Sequence, residues 1–287
     1  MKITPVHIRT FQETVFRFYT KQSRSLPWRD ARDPYAILVS EIMLQQTQAE
    51  RVVPFYETFL KKFPTLQTLA RASVGEVLRL WQGLGYNRRA LNLKRSAEMI
   101  VNEYGGVFPE TVEAIDTLPG VGPYTAGAVA AFAFGNSSAF IETNIRTVYL
   151  HFFFRDKLNV SDEDILTVIR QTLPDAQHSN ILKNVGMLGR KKVVREWYNA
   201  LMDYGAMLKK KEGNENVRSA GYKKQSKFKG SQRELRGEIL RKASHGIVYA
   251  STFATREQKG LSVSQTLSDL ESEGFLRKKG TGFVYAS

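Results

Sequence analysis

The chain has 287 residues, 42% of them hydrophobic, which is enough for one large domain, a small one and a substantial buried core. Its formal net charge of +14 points to a polyanionic partner, nucleic acid before anionic membrane, with plain solubility as the blander reading. There is no cysteine, which excludes disulfides, thiolate zinc sites, cysteine nucleophiles and cysteine-held iron–sulfur clusters.

The N-terminal MKITPVHIRTFQETV is too polar for a signal peptide, and no apolar run reaches membrane-spanning length. The expected location is the cytoplasm. Ile8, Phe11, Val15, Phe16 and Tyr19 then share a helical face, as do Val52, Phe55, Tyr56, Phe59 and Leu60. Val77, Leu78, Leu80 and Trp81 form a third such stretch, and Leu91, Leu93, Ala97, Ile100 and Val101 a fourth. Gly/Pro breaks at Phe63-Pro64, Gly83-Leu84-Gly85, Gly105-Gly106 and Pro119-Gly120 separate them, and alternating strands are missing before residue 245. The pattern predicts an all-helical domain with short connections. The histidines His7, His151, His178 and His245 are scattered without metal-ligand spacing, so no metal site is expected.

Between Leu208 and Lys242 stand twelve Lys/Arg against four Asp/Glu, and the middle of this stretch lacks apolar periodicity. Residues 213–230 read as a basic linker, either inert and solvated or a strap on DNA. Beyond it, Arg233 to Ala243 and Leu261 to Glu273 read as helices, the second with Val263, Leu267 and Leu270 on its apolar face. FLRKKGTGFVYAS follows as two short strands around Gly280-Thr281-Gly282. Helices followed by a basic hairpin suggest a winged helix, a fold that docks on DNA or on protein. The division is thus 1–212, a helical domain; 213–230, the linker; and 231–287, the winged-helix-like domain.

The strongest local signal is LPGVGPYTAGAVAAFAFG, Leu118 to Gly135. A tight turn precedes a helix of small residues. Gly120 and Gly122 allow unusual dihedrals and close backbone approach, and N–H groups at the helix start favour an anion. With Val121 and Thr125 they make a cradle for a DNA phosphate, without sequence readout.

LPWRDARDPYAILVSEIMLQQTQ, LWQGLGYNRRALNL, the hairpin string, FIETNIRTV and NALMDYGAM occur in that order. Together they resemble the helix-hairpin-helix (HhH-GPD) DNA glycosylase superfamily, whose members include endonuclease III, and within it most closely the adenine DNA glycosylases (MutY type). The resemblance implies a mainly α fold: a two-lobed helical glycosylase domain, here followed by the small α/β module. It implies a cytoplasmic, nucleoid-associated monomer acting in base excision repair on double-stranded DNA that contains a damaged or mismatched base.

Such an enzyme extrudes a base and makes it a leaving group, which needs a proton donor in an apolar setting and a carboxylate near the sugar cation. Glu41 lies in the apolar run Ile37 to Leu44, where burial favours its protonated form; the resemblance makes it the general acid. Glu142 stands where the family has an aspartate that stabilises the sugar cation, one methylene shorter. Asn144 matches an asparagine that positions the water or that carboxylate. Tyr124 stands where bifunctional members carry a Schiff-base lysine, so strand cleavage is not expected, and it supports the sugar side of the site. Gln45 and Gln46 match a polar wedge that fills the gap left by the base, and Tyr86 a tyrosine inserted beside the opposite base. Arg29 and Asp203 match positions by the base pocket. For these five a structural role stands beside the functional one.

The chain departs from the family twice. The cysteines that follow the NALMDYGAM segment in relatives are replaced by LKKKEGNENVRSAGYKK, so no iron–sulfur cluster and no other cofactor is expected. The domain that recognises 8-oxoguanine in adenine glycosylases does not fit in the short tail. The motif match makes adenine opposite G or 8-oxoguanine the first substrate reading, while the short tail argues against dedicated recognition of 8-oxoguanine. Mismatched T or U, or hypoxanthine, is the second, and a lesion-binding protein without catalysis the third.

Overall fold

The computed structural model describes residues 3–174, 190–224, 227–257 and 261–286; His178 lies outside them. The fold is mainly α. It divides into two compact units, each discontinuous in sequence: Met1–Glu41, Glu110–Thr117 and Val121–Lys224 form the first, and Ile42–Pro109, Leu118–Gly120 and Gln225–Ser287 the second. Among the described residues no helix is long and apolar enough to cross a membrane.

The first unit opens with α1 (Pro5–Gln22), where Thr4 caps the first turn and Pro5 fits at its start. Phe11, Val15, Phe16 and Tyr19 are buried as their spacing predicts, while Ile8 is only half-buried. Gln12, which the apolar pattern passes over, is also buried and donates to the Thr172 carbonyl at 3.0 Å. Phe11 meets Tyr149, Phe153 and Trp197 edge-on at 5.4, 5.0 and 5.5 Å between ring centres, an aromatic core joining α1 to α9 (Thr143–Phe153) and α11 (Arg190–Glu212). Between α1 and α9 run α2 (Pro34–Leu44), which passes from the first unit to the second, and α7 (Val112–Asp116). There too is α8 (Pro123–Val129), prolonged by a π-turn over Ala130–Phe134 and closed by Gly135. α10 (Asp162–Thr172) lies against α9.

Residues 213–224 carry more structure than a linker reading provides. Glu215–Arg218 forms a 3₁₀ turn against α9, and Asn216 and Ser219 are buried. Val160 and Ala220 complete a short parallel bridge through Arg218 and Val160 carbonyls at 3.0 and 2.9 Å. Polar side chains rather than apolar ones make this packing, so hydrophobic periodicity is blind to it.

The second unit holds α3 (Ala49–Lys62), α4 (Leu66–Arg71), α5 (Val74–Trp81) and α6 (Arg88–Glu103). Capping boxes start α4 at Thr65 and α5 at Ser73. Phe59 and Trp81 are fully buried at its centre. The C-terminal module adds α12 (Gln232–Ala243), a short α13 (Ala254–Glu257) that the sequence pattern does not show, and α14 (Val263–Ser272). Leu235 and Ile239 pack with Val263, Leu267 and Leu270, all at most 1% exposed. The hairpin β1 (Leu276–Lys279) and β2 (Gly282–Tyr285) turns at Gly280, where φ is +61°. A bridge from Val248 to Phe283 adds a third short strand-like contact to this small α/β module.

Candidate active site

Glu41 sits near the end of α2, a helix with almost no polar face. Its neighbours Leu38, Val39, Ile42 and Met43 are at most 1% exposed, and Glu41 itself is 4% exposed. Burial raises its carboxyl to a pKa of about 7 against a hydrogen bond from Tyr124 that opposes the shift, with the nearby Glu142 carboxylate pushing the same way as burial. The Tyr124 hydroxyl donates to Glu41 Oε2 at 3.1 Å. Burial and the two glutamates hold that phenol far above its ordinary pKa, so it stays a donor.

Glu142 is the N-cap of α9. One carboxylate oxygen accepts from the backbone N–H of Asn144 at 2.6 Å and of Ile145 at 3.3 Å, and the other accepts from Asn144 Nδ2 at 2.9 Å. Burial holds its pKa above the ordinary carboxyl value, although these three donors and Arg24 oppose the shift. A half-buried carboxylate held this way keeps a fixed position beside Glu41. The first unit thus brings Glu41, Tyr124, Glu142 and Asn144 together: a carboxyl that carries a proton near neutrality and a second one gripped by donors. Two acids whose surroundings set them apart in role are what general-acid cleavage of a glycosidic bond requires.

Arg29 and Asp203 are also brought together, and on each other. Asp203 accepts from Arg29 Nη1 and Nη2 at 2.8 and 2.6 Å, and from the Arg24 backbone and Nε at 3.0 and 2.5 Å. Burial would raise its pKa, but the arginine hydrogen bonds win and lower it. The pair ties the Ser23–Arg29 loop to α11.

The hairpin Leu118–Pro123 turns at Gly120, with φ of +76°; a Cβ there would stand 2.5 Å from Asn92 Nδ2, so only glycine fits. Gly122 is the N-cap of α8 and has no side chain to spend on the first-turn N–H groups. Val121 and Thr125 are 8% and 2% exposed, so little of either side chain reaches the surface of this turn. In the second unit Gln45 Nε2 donates to the Gly120 carbonyl at 3.3 Å. Gln46 and Tyr86 adopt left-handed backbone, with φ of +55° and +50°. Strain of that kind in non-glycine residues costs of order 1 kcal/mol and collects at functional positions.

Three residues that matter here escape the sequence reading. Arg89 is 8% exposed and donates to the carbonyls of Ile42, Met43 and Gln45 at 3.0, 2.7 and 2.5 Å, clamping the end of α2. Burial lowers its pKa to about 10, which leaves it charged. Arg195 does the same in the first unit, gripping the carbonyls of Arg29, Ala31 and Phe132. Gly205 lets α11 pass the start of α9. His151 also meets Glu212 at 3.0 Å and shares a cluster with Glu215, a proximity its sequence spacing does not reveal; Arg218 already neutralises Glu215.

The arrangement defines a class: a helix-hairpin-helix protein with a buried acid beside a capped carboxylate. Residues 39–203 match the family model of the HhH-GPD superfamily base excision DNA repair proteins, and the chain belongs to that superfamily. It is 33% identical over 199 residues to an adenine DNA glycosylase of Buchnera aphidicola subsp. Baizongia pistaciae, covering 69% of this chain and 52% of that one. It is 43% identical over 150 residues to the human adenine DNA glycosylase, covering 49% of this chain and 28% of that one. The chain therefore spans about half, or less, of the length of these relatives. Among solved structures, that of a thermostable thymine-DNA glycosylase superposes with a TM-score of 0.60 at 29% identity, over 70% of this chain and 87% of that one.

Proposed function

We propose that the chain is a monofunctional DNA N-glycosylase of base excision repair that extrudes a mispaired adenine, opposite G or 8-oxoguanine, and cuts its N-glycosidic bond. The observation that carries this reading is the Glu41 carboxyl, 4% exposed and poised at about pKa 7 beside Glu142. Glu41 gives its proton to a ring nitrogen of the extruded base. The C–N bond breaks, the base leaves with that proton, and the cationic sugar is stabilised by the Glu142 carboxylate. Water, positioned by Asn144 and Glu142, adds to the sugar and passes its proton to the Glu41 carboxylate, which restores the acid. Tyr124 offers no amine for a Schiff base, so the strand stays intact.

Residues 1–212 form the glycosylase domain in this reading, 213–230 a basic connection and 231–287 a winged module, working as a monomer on duplex DNA in the cytoplasm. The Gly120–Gly122 cradle, with Val121 and Thr125, holds a phosphate. Gln45, Gln46 and Tyr86 meet the bases left behind, and the Arg29–Asp203 pair shapes the base pocket. The chain has no cysteine to ligate an iron–sulfur cluster, and the mechanism calls on no cofactor.

The resemblance to a thymine-DNA glycosylase structure supports a second reading, removal of mismatched T by the same residues. Single-turnover base release from duplexes carrying A:8-oxoguanine, A:G, T:G, U:G or hypoxanthine separates the two. Adenine release without strand breakage, abolished by Glu41→Gln, is expected. Intact A:8-oxoguanine and A:G with release of thymine assigns the second reading, and binding without release from any duplex overturns both.

A further inference from the structure

In the second unit, a cleft of about 950 Å³ opens between the Gly83–Arg89 turn and α12 of the winged module. That is at the upper end of small-molecule sites, about 300–1,000 Å³, and far too small for a duplex. Its lining holds seven arginines and no lysine, against two glutamates. Both glutamates, Glu234 and Glu238, are taken by Arg256. Arg88 and Arg236 share the single carboxylate of Glu273, so positive charge remains in excess. Arginine's planar fork suits phosphate oxygens and also stacks on flat rings.

Of the four aromatic side chains in this charged lining two are exposed, Phe228 at 60% and Tyr86 at 37%. The Tyr86 hydroxyl accepts from Arg233 Nη1 at 3.0 Å, and the Arg233 guanidinium lies 6.0 Å over the same ring. Gln46 and Tyr86, the strained left-handed positions, both line the cleft. Arginines that track a phosphate backbone, combined with exposed ring faces, are the elements of a site for unpaired nucleotides. Paired bases have their faces covered by their neighbours, so a duplex cannot use those rings.

We propose that this cleft binds the DNA strand opposite the extruded base, at and beside the nucleotide left without a partner, and that the winged module supplies half of that site. The proposal rests on the glycosylase reading for the source of the strand, and on the cleft alone for its chemistry. Arg233 and Arg241 on α12 and Arg88 on the facing turn take phosphates. Tyr86 and Phe228 take base faces.

The test is fluorescence anisotropy of the full chain with a labelled ten-nucleotide single strand and with a fully matched duplex, each across a salt series. Phe228→Ala and Arg241→Ala are the variants, both at exposed positions, and unchanged thermal unfolding confirms their folding. Single-strand affinity is expected to fall about tenfold for Phe228→Ala. For Arg241→Ala the slope of log affinity against log salt becomes shallower by about 0.7. Matched-duplex affinity falls at least threefold less in both. Equal losses on both ligands, no loss on either, or displacement of the single strand by micromolar deoxynucleoside monophosphate overturns the proposal. If the wild-type chain releases no base from any duplex while these differences appear, the glycosylase reading fails and the cleft assignment stands. The converse result removes the cleft assignment alone.

Discussion

Gly205 on α11 lies so close to Asn144 at the start of α9 that a Cβ on it would stand 2.1 Å from the Asn144 carbonyl oxygen. No side chain fits there without parting the helices. Asn144 is also the residue whose backbone and side chain both donate to Glu142. The contact therefore sets the position of the Glu142 carboxylate from behind. Gly205→Ala is expected to cost about 3 kcal/mol by overpacking, and to lower base release even where the protein remains folded. Urea unfolding and single-turnover release check both. Unchanged stability would show that α9 and α11 part freely.

Glu41 gives parallel pH signatures in stability and in the proposed function, both declining as pH rises. Its folded pKa of about 7 lies above the ordinary 4.5. Between those values the folded state keeps a proton that the unfolded chain loses, so stability falls as pH rises through this window and is lowest above pH 7. Glu41→Gln removes that cost. The variant is expected to be more stable than the parent by about 3 kcal/mol at pH 8.5, with little difference at pH 4. Paired thermal melts at the two pH values test this without any substrate. Equal stabilities at pH 8.5 would mean that the Glu41 carboxylate is well solvated.

In the proposed mechanism the same proton sets the rate profile. Base release that needs protonated Glu41 declines as pH rises above about 7, tenfold per unit once titration is complete. Single-turnover rates from pH 5.5 to 9 measure it. A profile flat through pH 8 would remove Glu41 as the proton donor.

Glu142 is the N-cap of α9, and in the proposed mechanism it also stabilises the sugar cation; two substitutions separate these roles. Glu142→Ala loses the N-cap, at about 1 kcal/mol, along with the carboxylate, so release is expected to fall at least about a hundredfold. Glu142→Asp keeps a carboxylate at a position where aspartate is the better cap. It is expected to match or exceed the parent in stability and to hold release within about tenfold. A Glu142→Asp variant as inactive as Glu142→Ala would show that the extra methylene places the charge.

Much of this site was legible in the amino-acid order. Glu41 reads as an acid inside an apolar run, Gly120–Gly122 as a tight glycine turn that opens a helix, and Gly280-Thr281-Gly282 as a hairpin turn. What stayed hidden shares a cause. Arg89 and Arg195 read as solvated charges because their carbonyl partners lie in other segments. Gly205 reads as a weak spot in a helix until α9 is beside it. Asn216 and Ser219 lie in a stretch with no apolar period, because that period reports only burial of oily groups.

Arg218 makes the last of these points measurable. It is the side chain that holds residues 215–219 where the family resemblance expects cluster ligands. Its Nη1 donates to the Phe154 and Arg155 carbonyls at 2.5 and 2.7 Å, and Nη2 to Leu150 at 3.1 Å. These are carbonyls at the end of α9, where a cation also offsets the helix dipole. Glu215 fixes the guanidinium from the other side. Arg218→Ala leaves those acceptors half-buried without their charged donor, and is expected to cost about 3 kcal/mol in urea unfolding. Prolonged incubation with a metal chelator is expected to leave the melting temperature unchanged, because hydrogen bonds rather than metal–thiolate bonds close this turn. A melting temperature that drops on chelation, or an Arg218→Ala variant as stable as the parent, would mean that something other than this arginine holds the end of α9.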